Sequence, residues 1–507
     1  MRQQLKRLGS DTAIYGISTI IGRALNFLLL PFYTNILLPG EYGIVSYVFS
    51  IIAFVNVLYS YGMESAYFKY SSTLEIGTKE QNFSTPFMAL VVSSAVFTLF
   101  IVMEAGSIAA AMSISTELHA VIYYAAGVLA FDAMAIVPFA ALRMERRPRV
   151  FARIKFLNIL ITVVMNILLL VVVRMGVMGI FISNLVASLS TILMLLPTIR
   201  RNFTIRLDGS LMKALLRFGL PFVPAGLATM AVQVIDRPIL RSLTDDATVG
   251  IYQANYRLGI FMMLIVQMYD FAWRPFYFST AKDPNARKIF ARVLTYLVLF
   301  MCGVFLLVSL FVGDIVKIEF FGHHLIHPSY WVGLDLVPVV LAGYLFLGIS
   351  NNMSAGIYIE KKTTYMPPIA FVGAVVNVGA NYLLIPTMGM LGAAWATLFA
   401  YVAMAAVLYV AVQNIYPITY EVGRLWKIAV AAIVVFGIYK YFPLDGATTL
   451  TSISVKIGLM ALFAGMMYAM KFFEGRELVM MKSFIGRSKE TGGIEEESRP
   501  PIGGSGI

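Results

Sequence analysis

Apolar side chains fill long runs of the chain, and short polar segments separate the runs. We count about fourteen runs, at approximately 11–37, 43–67, 83–104, 118–142, 154–174, 177–198, 215–241, 248–273, 289–312, 333–358, 365–386, 390–412, 427–442 and 453–472. A helix rises about 1.5 Å per residue, so about twenty residues cross the ~30 Å hydrocarbon core of a bilayer. Barrel strands would be about ten residues long with alternating polarity. The pattern therefore predicts an all-α polytopic membrane protein with about 14 transmembrane helices, here called spans 1–14.

Small and polar residues around these runs recur in a second copy. Pro31 precedes Gly43 by twelve residues, and Pro238 precedes Gly250 by the same distance. Three further matches lie 213 to 215 positions apart: Glu145-Arg146-Arg147 with Glu360-Lys361-Lys362, Asn166 with Asn381, and Gly176 and Gly179 with Gly389 and Gly392. A near-constant offset indicates an internal duplication, and two related halves around a central cleft are a common plan for transporters.

Charge is sparse and unevenly placed. Only 13% of the residues are charged and 59% are hydrophobic, with a net charge of +12. If the N-terminus is cytoplasmic, 31 of the 39 Lys and Arg residues fall in cytoplasmic segments, six fall outside and two lie within helices. This positive-inside distribution predicts that both termini are cytoplasmic. The basic loops then contact membrane lipids, and we expect no nucleic-acid partner.

Sequence signals for enzymatic chemistry are missing. The sequence has no GxxxxGK[ST] phosphate loop, no HExxH, no GxSxG and no paired cysteines, since Cys302 is the single cysteine. The connections are short, so we expect a transporter without a cofactor rather than an enzyme. His323, His324 and His327 have a spacing that can bind a metal, but their aromatic surroundings favour an interfacial segment, and we predict no metal site. Residues 483–507 are predicted to form a disordered cytoplasmic tail.

Polar residues within span 1 follow one helical face, which contains Thr12, Gly16, Thr19, Arg23 and Asn26. A charge near mid-membrane costs about 2.5–3.5 kcal/mol on insertion scales, so Arg23 should face a wet cavity or a partner. We predict that Arg23 and Asn26 bind substrate. The alternative is a structural ion pair or a side chain that reaches the interface.

Spans 7 and 8 carry a second set of polar residues. Gln253 and Arg257 are four residues apart on span 8, and Gln233 and Asp236 share a face of span 7. We predict that all four bind substrate. Adjacent residues on a helix do not face each other, so Asp236 is expected to reach Arg257 or Arg23 rather than Arg237. A purely structural ion pair remains the alternative, as does an interfacial role for Arg257.

Two further acids lie within the apolar runs. A carboxyl group in a low-dielectric site can carry a proton, so Glu64 and Asp132 are candidates for ion coupling. The alternative is that each is a partner for an arginine or for a broken backbone segment. Span 7 also contains Pro221 and Pro224, which predict a bend that could serve as a hinge.

Two stretches carry a family resemblance. TNILLPGEYGIVSYVFSIIAFVNVLYSYGMESAYFKYSS (34–72) and VVNVGANYLLIPTMGMLGAAWATLFAY (375–401) resemble the polysaccharide-export branch of the multidrug/oligosaccharidyl-lipid/polysaccharide flippase superfamily. The resemblance extends over about residues 1–480. It implies two six-helix lobes related by a pseudo-twofold axis along the membrane normal, plus two C-terminal helices. The implied division is 1–206 (N-lobe), 207–414 (C-lobe) and 415–482 (spans 13 and 14).

The resemblance also implies a function. Spans 1, 2, 7 and 8 would line a central cavity, and spans 13 and 14 would flank a groove for a lipid tail. The implied substrate is an undecaprenyl-diphosphate-linked oligosaccharide, such as an O-antigen or capsule repeat unit, which is moved across the bacterial inner membrane. Arg23 and Arg257 would then meet a diphosphate or an acidic sugar. A polysaccharide polymerase and a chain-length regulator are candidate partners.

Two other functions stay open at this stage. An ion-coupled antiporter of small molecules belongs to the same superfamily, although a mid-helix Arg23 would repel a cationic drug. A scaffold for a glycan assembly complex without transport activity is the other, and charged residues within the membrane argue against it.

Overall fold

A computed structural model describes residue 27 and residues 29–320, 322–442 and 449–474. Its α-helices are α1 (Leu29–Ile36), α2 (Pro39–Ser60), α3 (Met63–Thr73), α4 (Lys79–Met103), α5 (Ala105–Ala111), α6 (Ala120–Met144), α7 (Pro148–Ile167), α8 (Gly176–Asn202), α9 (Gly209–Gly219), α10 (Phe222–Val234), α11 (Asp236–Leu243), α12 (Asp246–Leu258), α13 (Ile260–Thr280), α14 (Ala286–Ile315), α15 (Val337–Met353), α16 (Ala355–Ile359), α17 (Met366–Met388), α18 (Met390–Ile415), α19 (Val422–Tyr441) and α20 (Thr449–Ala469). Thr116–Leu118, Pro328–Leu336 and Thr363–Tyr365 form 3₁₀ turns, and Leu168–Val172 forms a π-helical turn. A short antiparallel pair joins β1 (Glu319–Phe320) to β2 (His323–His324).

The helices confirm the all-α membrane fold. Twelve helical segments of the described residues are long and apolar enough to cross a membrane, and the pair α12–α13, bent by 46°, makes a thirteenth. They coincide with predicted spans 2–14, while most of span 1 lies outside the described residues. Large apolar side chains such as Phe100 (64% exposed) and Leu383 (76% exposed) point away from the protein, as expected where lipid is the solvent.

Successive spans run in alternating directions. The connections 74–78, 145–147, 203–208 and 281–285 therefore lie at one end of the molecule, which we call the basic end because arginines and lysines are concentrated around it. The connections 104–115, 173–175 and 244–245 lie at the opposite end.

The chain divides into two compact units. The first contains the residues up to Leu297 together with Phe311–Tyr420. The second contains Val298–Leu310 and the chain from Glu421 onward. Within the second unit α19 packs against α20, and the rings of Phe305 and Phe436 lie 5.5 Å apart. The predicted lobe boundaries are a different division and stay a prediction.

Polar side chains fix the starts of several helices. The Asp208 carboxylate accepts hydrogen bonds from the Ser210 hydroxyl and from the Ser210 and Leu211 amides at the start of α9. These bonds, the Ser210 hydroxyl first, hold the pKa of Asp208 below its ordinary value. Asp245 accepts from the Thr248 amide at the start of α12. Such caps satisfy amides that have no partner within the helix, and so define where it begins.

The duplication is visible in the backbone. Arg146 and Lys361, which correspond in the repeat, have φ angles of 52° and 56°. Gly176 and Gly389 also correspond, and their φ angles are 55° and 56°. Positive φ is uncommon outside glycine, so a shared value at matched positions indicates that the turns between spans were copied together with the helices.

The repeated glycines Gly43 and Gly250 pack against each other's helices. A Cβ atom on Gly43 would lie 1.7 Å from the Asp246 carbonyl oxygen, and one on Gly250 would lie 1.9 Å from the Pro39 oxygen. The first turns of α2 and α12 therefore touch backbone to backbone at the opposite end. Only glycine permits this approach.

Span 7 is interrupted at Leu220, where paired prolines predicted a bend. Before the interruption, α9 packs against α3 and α4, and its Leu211 and Leu215 lie in the core of the N-terminal half. After the interruption, α10 packs mainly against α17. Gly219 meets Gly62 at the break between α2 and α3, where an added Cβ on Gly62 would lie 2.2 Å from the Gly219 oxygen. The two parts of span 7 are thus attached to different halves of the protein.

Replacing Gly43 with alanine tests the contact between α2 and α12. We expect Gly43→Ala to cost about 1–3 kcal/mol of stability, because the new methyl group must push two backbones apart. Thermal unfolding of the purified protein in detergent measures the loss. Gly40→Ala is the matched control, since it lies in the same helix with nothing within 4 Å of an added Cβ. Equal unfolding temperatures for both variants would contradict the packing described here.

Candidate functional site

A central cavity lies where α1, α2, α7 and α8 meet α10, α11 and α12. Its volume is about 240 Å³. Its polar lining includes Tyr33, Tyr42, Asn184, Arg237, Gln253 and Arg257. The cavity therefore lies between residues of the N-terminal and C-terminal halves of the repeat, as two halves around a cleft predict.

A second cavity of about 230 Å³ lies behind the first, on the side of α15 and α18. Both share Arg237, Gln253 and Arg257, while Tyr344 and Tyr401 line only the second. These three shared polar side chains form one wall between the two spaces. We call it the arginine wall.

Arg237 is a neutralised member of the arginine wall. Its Nη1 atom lies 2.6 Å from the Asp236 carboxylate and donates to the Gln233 carbonyl oxygen, also at 2.6 Å. Its Nε atom donates to the Gln253 side chain at 3.0 Å, and its guanidinium carbon lies 4.5 Å from the centre of the Tyr256 ring. Only 5% of Arg237 and 1% of Asp236 is exposed, so this is a buried ion pair with its hydrogen bonds satisfied.

This pair corrects the prediction of which residue Asp236 contacts. Asp236 was expected to reach Arg257 or Arg23, but it pairs with its neighbour Arg237, and the Tyr252 hydroxyl donates to its other oxygen. The reasoning failed because the helix breaks at Ile235, between α10 and α11, and the long Arg237 side chain folds back. Asp236 is thus buried rather than open to the cavity. The four-residue step from Gln233 to Arg237 was the signal that placed Arg237 inward.

Arg257 is the open cation of the arginine wall. Its guanidinium carbon lies 6.0 and 5.9 Å from the ring centres of Tyr33 and Tyr42. The Tyr33 hydroxyl donates to Asn166, one of the repeated asparagines, at 3.1 Å. Across residues 29–320, 322–442 and 449–474 no carboxylate forms an ion pair with Arg257. Its charge is therefore available to an anion in the cavity.

The remaining predicted binding residues have different positions. Gln253 lines both cavities, and Gln233 has an exposed side chain that lines the second. Arg23 and Asn26 lie outside the described residues.

The two predicted ion-coupling acids line a third and larger cavity, of about 480 Å³, which we call the Lys155 cavity. Glu64 forms an ion pair with Arg143 there. Asp132 accepts a hydrogen bond from the Ser188 hydroxyl at 2.7 Å. Counting basic residues by segment had assigned Lys155 and Arg143 to a cytoplasmic loop. The structure places both side chains on the cavity wall.

At the opposite end Arg241 joins the two halves. It binds Asp246, the carbonyl oxygens of Met112 and Ser113, and the face of Tyr47, whose ring centre is 4.2 Å away. These contacts add to the glycine contact of α2 and α12 in joining the two halves at that end. Arg241 was not among the residues predicted from the sequence to have a role.

The histidines before α15 contact the polypeptide itself. His324 Nδ1 lies 3.1 Å from the Lys317 oxygen, and His327 Nδ1 lies 2.9 Å from the Ser329 hydroxyl. Among the described residues, no group of three or more His, Cys, Asp or Glu side chains forms a metal site.

Comparison with known proteins identifies the family. The family described as "Polysaccharide biosynthesis protein" matches residues 34–324, which is more than half of the chain. The chain belongs to this family. No curated protein matches the sequence at significance. The family assignment agrees with the resemblance carried by residues 34–72.

Solved structures share the fold of this family member. The lipid II flippase MurJ, in an inward closed conformation, superposes with a TM-score of 0.68 at 16% identity, over 90% of this chain and 99% of that one. An inward-facing multidrug resistance transporter of the MOP superfamily superposes at 0.59 with 15% identity, over 80% and 96%. The Vibrio cholerae transporter VcmN, as its D35N mutant, gives 0.54 at 13% identity, over 81% and 96%. The likeness shows that the chain shares the fold of these three proteins.

Substitution of Arg237 should lower the stability of the protein much more than substitution of Arg257. We expect Arg237→Gln to cost about 3–5 kcal/mol, because it leaves the buried Asp236 carboxylate without a partner. Thermal unfolding in detergent measures this. Arg257→Gln removes an arginine of the same wall that has no carboxylate partner, and should unfold close to wild type. The double variant Asp236→Asn/Arg237→Gln should recover part of the loss. An Arg237→Gln protein as stable as Arg257→Gln would refute the assignment.

Proposed function

We propose that the protein is a flippase that moves a polyprenyl-diphosphate-linked oligosaccharide across the bacterial cytoplasmic membrane by alternating access. The observation that carries the proposal is Arg257, a cation without a carboxylate partner, in a cavity between the two halves of a family member with a flippase fold.

The chemistry of the central cavity suits a diphosphate. An unpaired guanidinium presents several donors to phosphate oxygens and keeps its charge at any physiological pH. Tyr33 and Tyr42 add phenol rings around the same space. Amphipathic rings of this kind offer both an apolar face and a hydroxyl to a sugar. A cationic drug would instead be repelled, which disfavours the small-molecule antiporter.

The interruption of span 7 supports alternating access. Because α9 packs on the N-terminal half and α10 on the C-terminal half, movement of one half relative to the other must be absorbed at Leu220. We propose lobes of about 1–206 and 207–414, with α9 travelling with the N-lobe. The glycine contact and Arg241 would separate when the opposite end opens.

The basic end would then face the cytoplasm, with both termini on that side. The proposed location is the bacterial inner membrane. A polymerase and a chain-length regulator of polysaccharide assembly are proposed partners, since a flipped repeat unit must be joined to others.

Asp132 is the better of the two candidates for ion coupling. Glu64 is paired with Arg143, whereas the only described hydrogen bond of the Asp132 side chain comes from Ser188. A carboxylate that faces a cavity and lacks an ion pair can exchange a proton or a cation as the cavity opens. We propose that Asp132 couples flipping to an ion gradient.

Substitution of Arg257 tests the flippase proposal. Arg257→Gln should lower flipping of a polyprenyl-diphosphate oligosaccharide in proteoliposomes by about tenfold or more, because a hydrogen-bonded charge contributes about 1.5–3 kcal/mol to binding. Arg257→Lys should keep part of the activity. Arg200→Gln is the control, since Arg200 is an exposed arginine in the last turn of α8. If Arg257→Gln flips the lipid at the wild-type rate and is present at normal abundance, Arg257 does not have the proposed role. If the wild-type protein exports a cationic drug, the antiporter is favoured instead.

Substitution of Asp132 tests coupling. Asp132→Asn cannot change its charge, so an imposed proton or sodium gradient should no longer accelerate flipping, while flipping without a gradient continues. The rates with and without the gradient give the result. Glu80→Gln, an exposed acid at the start of α4, should respond like wild type. A full gradient response in Asp132→Asn would exclude Asp132 as the coupling residue.

A further inference from the structure

The Lys155 cavity is connected to the central cavity. Phe49, Thr162 and Asn184 line both spaces, so the two are neighbours that share a wall. With about 480 Å³ it is the larger of the two. It falls within the range of about 300–1,000 Å³ that is common for sites of small ligands.

Lys155 is the unneutralised cation of this space. Its Nζ atom lies 4.3 Å from the centre of the Phe139 ring, and it has no ion pair within residues 29–320, 322–442 and 449–474. It interacts with Asp132 across the cavity without an ion-pair contact. Glu64 is occupied by Arg143. The Lys155 ammonium group therefore lacks the close carboxylate contact that Arg143 has with Glu64.

The rest of the lining suits a carbohydrate. The Asn56 amide lines the cavity and makes no hydrogen bond to a described residue. Asn158 donates to Thr191 and to a backbone carbonyl, which leaves its oxygen free to accept. Amide groups beside phenylalanine rings match the hydroxyls and apolar faces of sugar rings.

We propose that the Lys155 cavity is a glycan subsite for an acidic sugar, whose carboxylate binds the Lys155 ammonium while the diphosphate binds Arg257. The proposal rests on the proposed flippase function and narrows its substrate to oligosaccharides that carry a uronic acid or a related acidic sugar. Asn56 would bind a hydroxyl group of the same sugar.

Binding of soluble probes tests the subsite without the lipid. The full chain in nanodiscs is titrated with a tetrasaccharide of alternating glucuronic acid and N-acetylglucosamine, and with the methyl ester of the same tetrasaccharide. Wild type should bind the acid about tenfold more tightly than the ester, since a charge-assisted hydrogen bond is lost on esterification. Lys155→Gln should abolish this preference and Lys155→Arg should keep most of it.

Lys213→Gln is the matched control, because Lys213 is an exposed lysine of α9 at the basic end. It should keep the full preference. Equal binding of acid and ester by wild type, or an unchanged preference in Lys155→Gln, would overturn the subsite. Tighter Lys155-dependent binding of mannose 6-phosphate than of the uronate would overturn the assignment to a carboxylate.

Arg257→Gln separates this proposal from the flippase proposal. The probe has no diphosphate, so the variant should keep the preference for the acid while losing flipping. A wild type that flips lipid-linked sugar but shows no acid preference refutes the subsite alone. A wild type with the Lys155-dependent preference that flips no lipid-linked sugar refutes the function alone.

Discussion

The exclusion of water from the membrane interior governs the placement of the charges within the described spans. A charge among apolar helices is costly unless a partner or a wet cavity receives it. Asp236 with Arg237, Glu64 with Arg143, and Arg241 with Asp246 are paired. Arg257 and Lys155 have no such pair, and both line cavities. The paired charges hold helices together, and the two unpaired cations are left to meet a ligand.

This division explains how one fold serves both stability and binding. The buried Asp236–Arg237 pair and Arg257 belong to the same arginine wall. Arg237 stabilises the wall through its hydrogen bonds, and Arg257 is left to bind a ligand. The repeated residues contribute differently. Asn166 holds Tyr33 beside Arg257, and the glycines bring α2 and α12 together. The duplicated positions thus shape the frame, while the unpaired cations have no counterpart in the other half.

The fold was largely predictable from the sequence, because apolar length and internal repetition report directly on membrane helices. The thirteen described spans coincide with the predicted runs. The site was predictable only in part. Residue spacing pointed to Gln253 and Arg257, which line the central cavity, but it gave Asp236 the wrong partner and passed over Arg237, since a helix break at Ile235 changes which neighbours face each other. Lys155 lies at the start of an apolar run, and residue spacing did not show that its side chain faces a cavity. Tertiary contacts decide whether a side chain folds back onto its own helix or faces a cavity. The spacing of residues along the sequence does not contain this information.

The contact between α2 and α12 has an evolutionary consequence. Gly43 and Gly250 are matched positions of two repeats that run in the same direction through the membrane, and each meets the backbone of the other's helix. A surface that contacts its own copy is the hallmark of an isologous twofold interface. A single-repeat ancestor would have carried the same glycine on each of two identical chains and could have assembled as a homodimer through it. Gene fusion would then have freed the two copies to diverge, so that one cation could arise on one side alone.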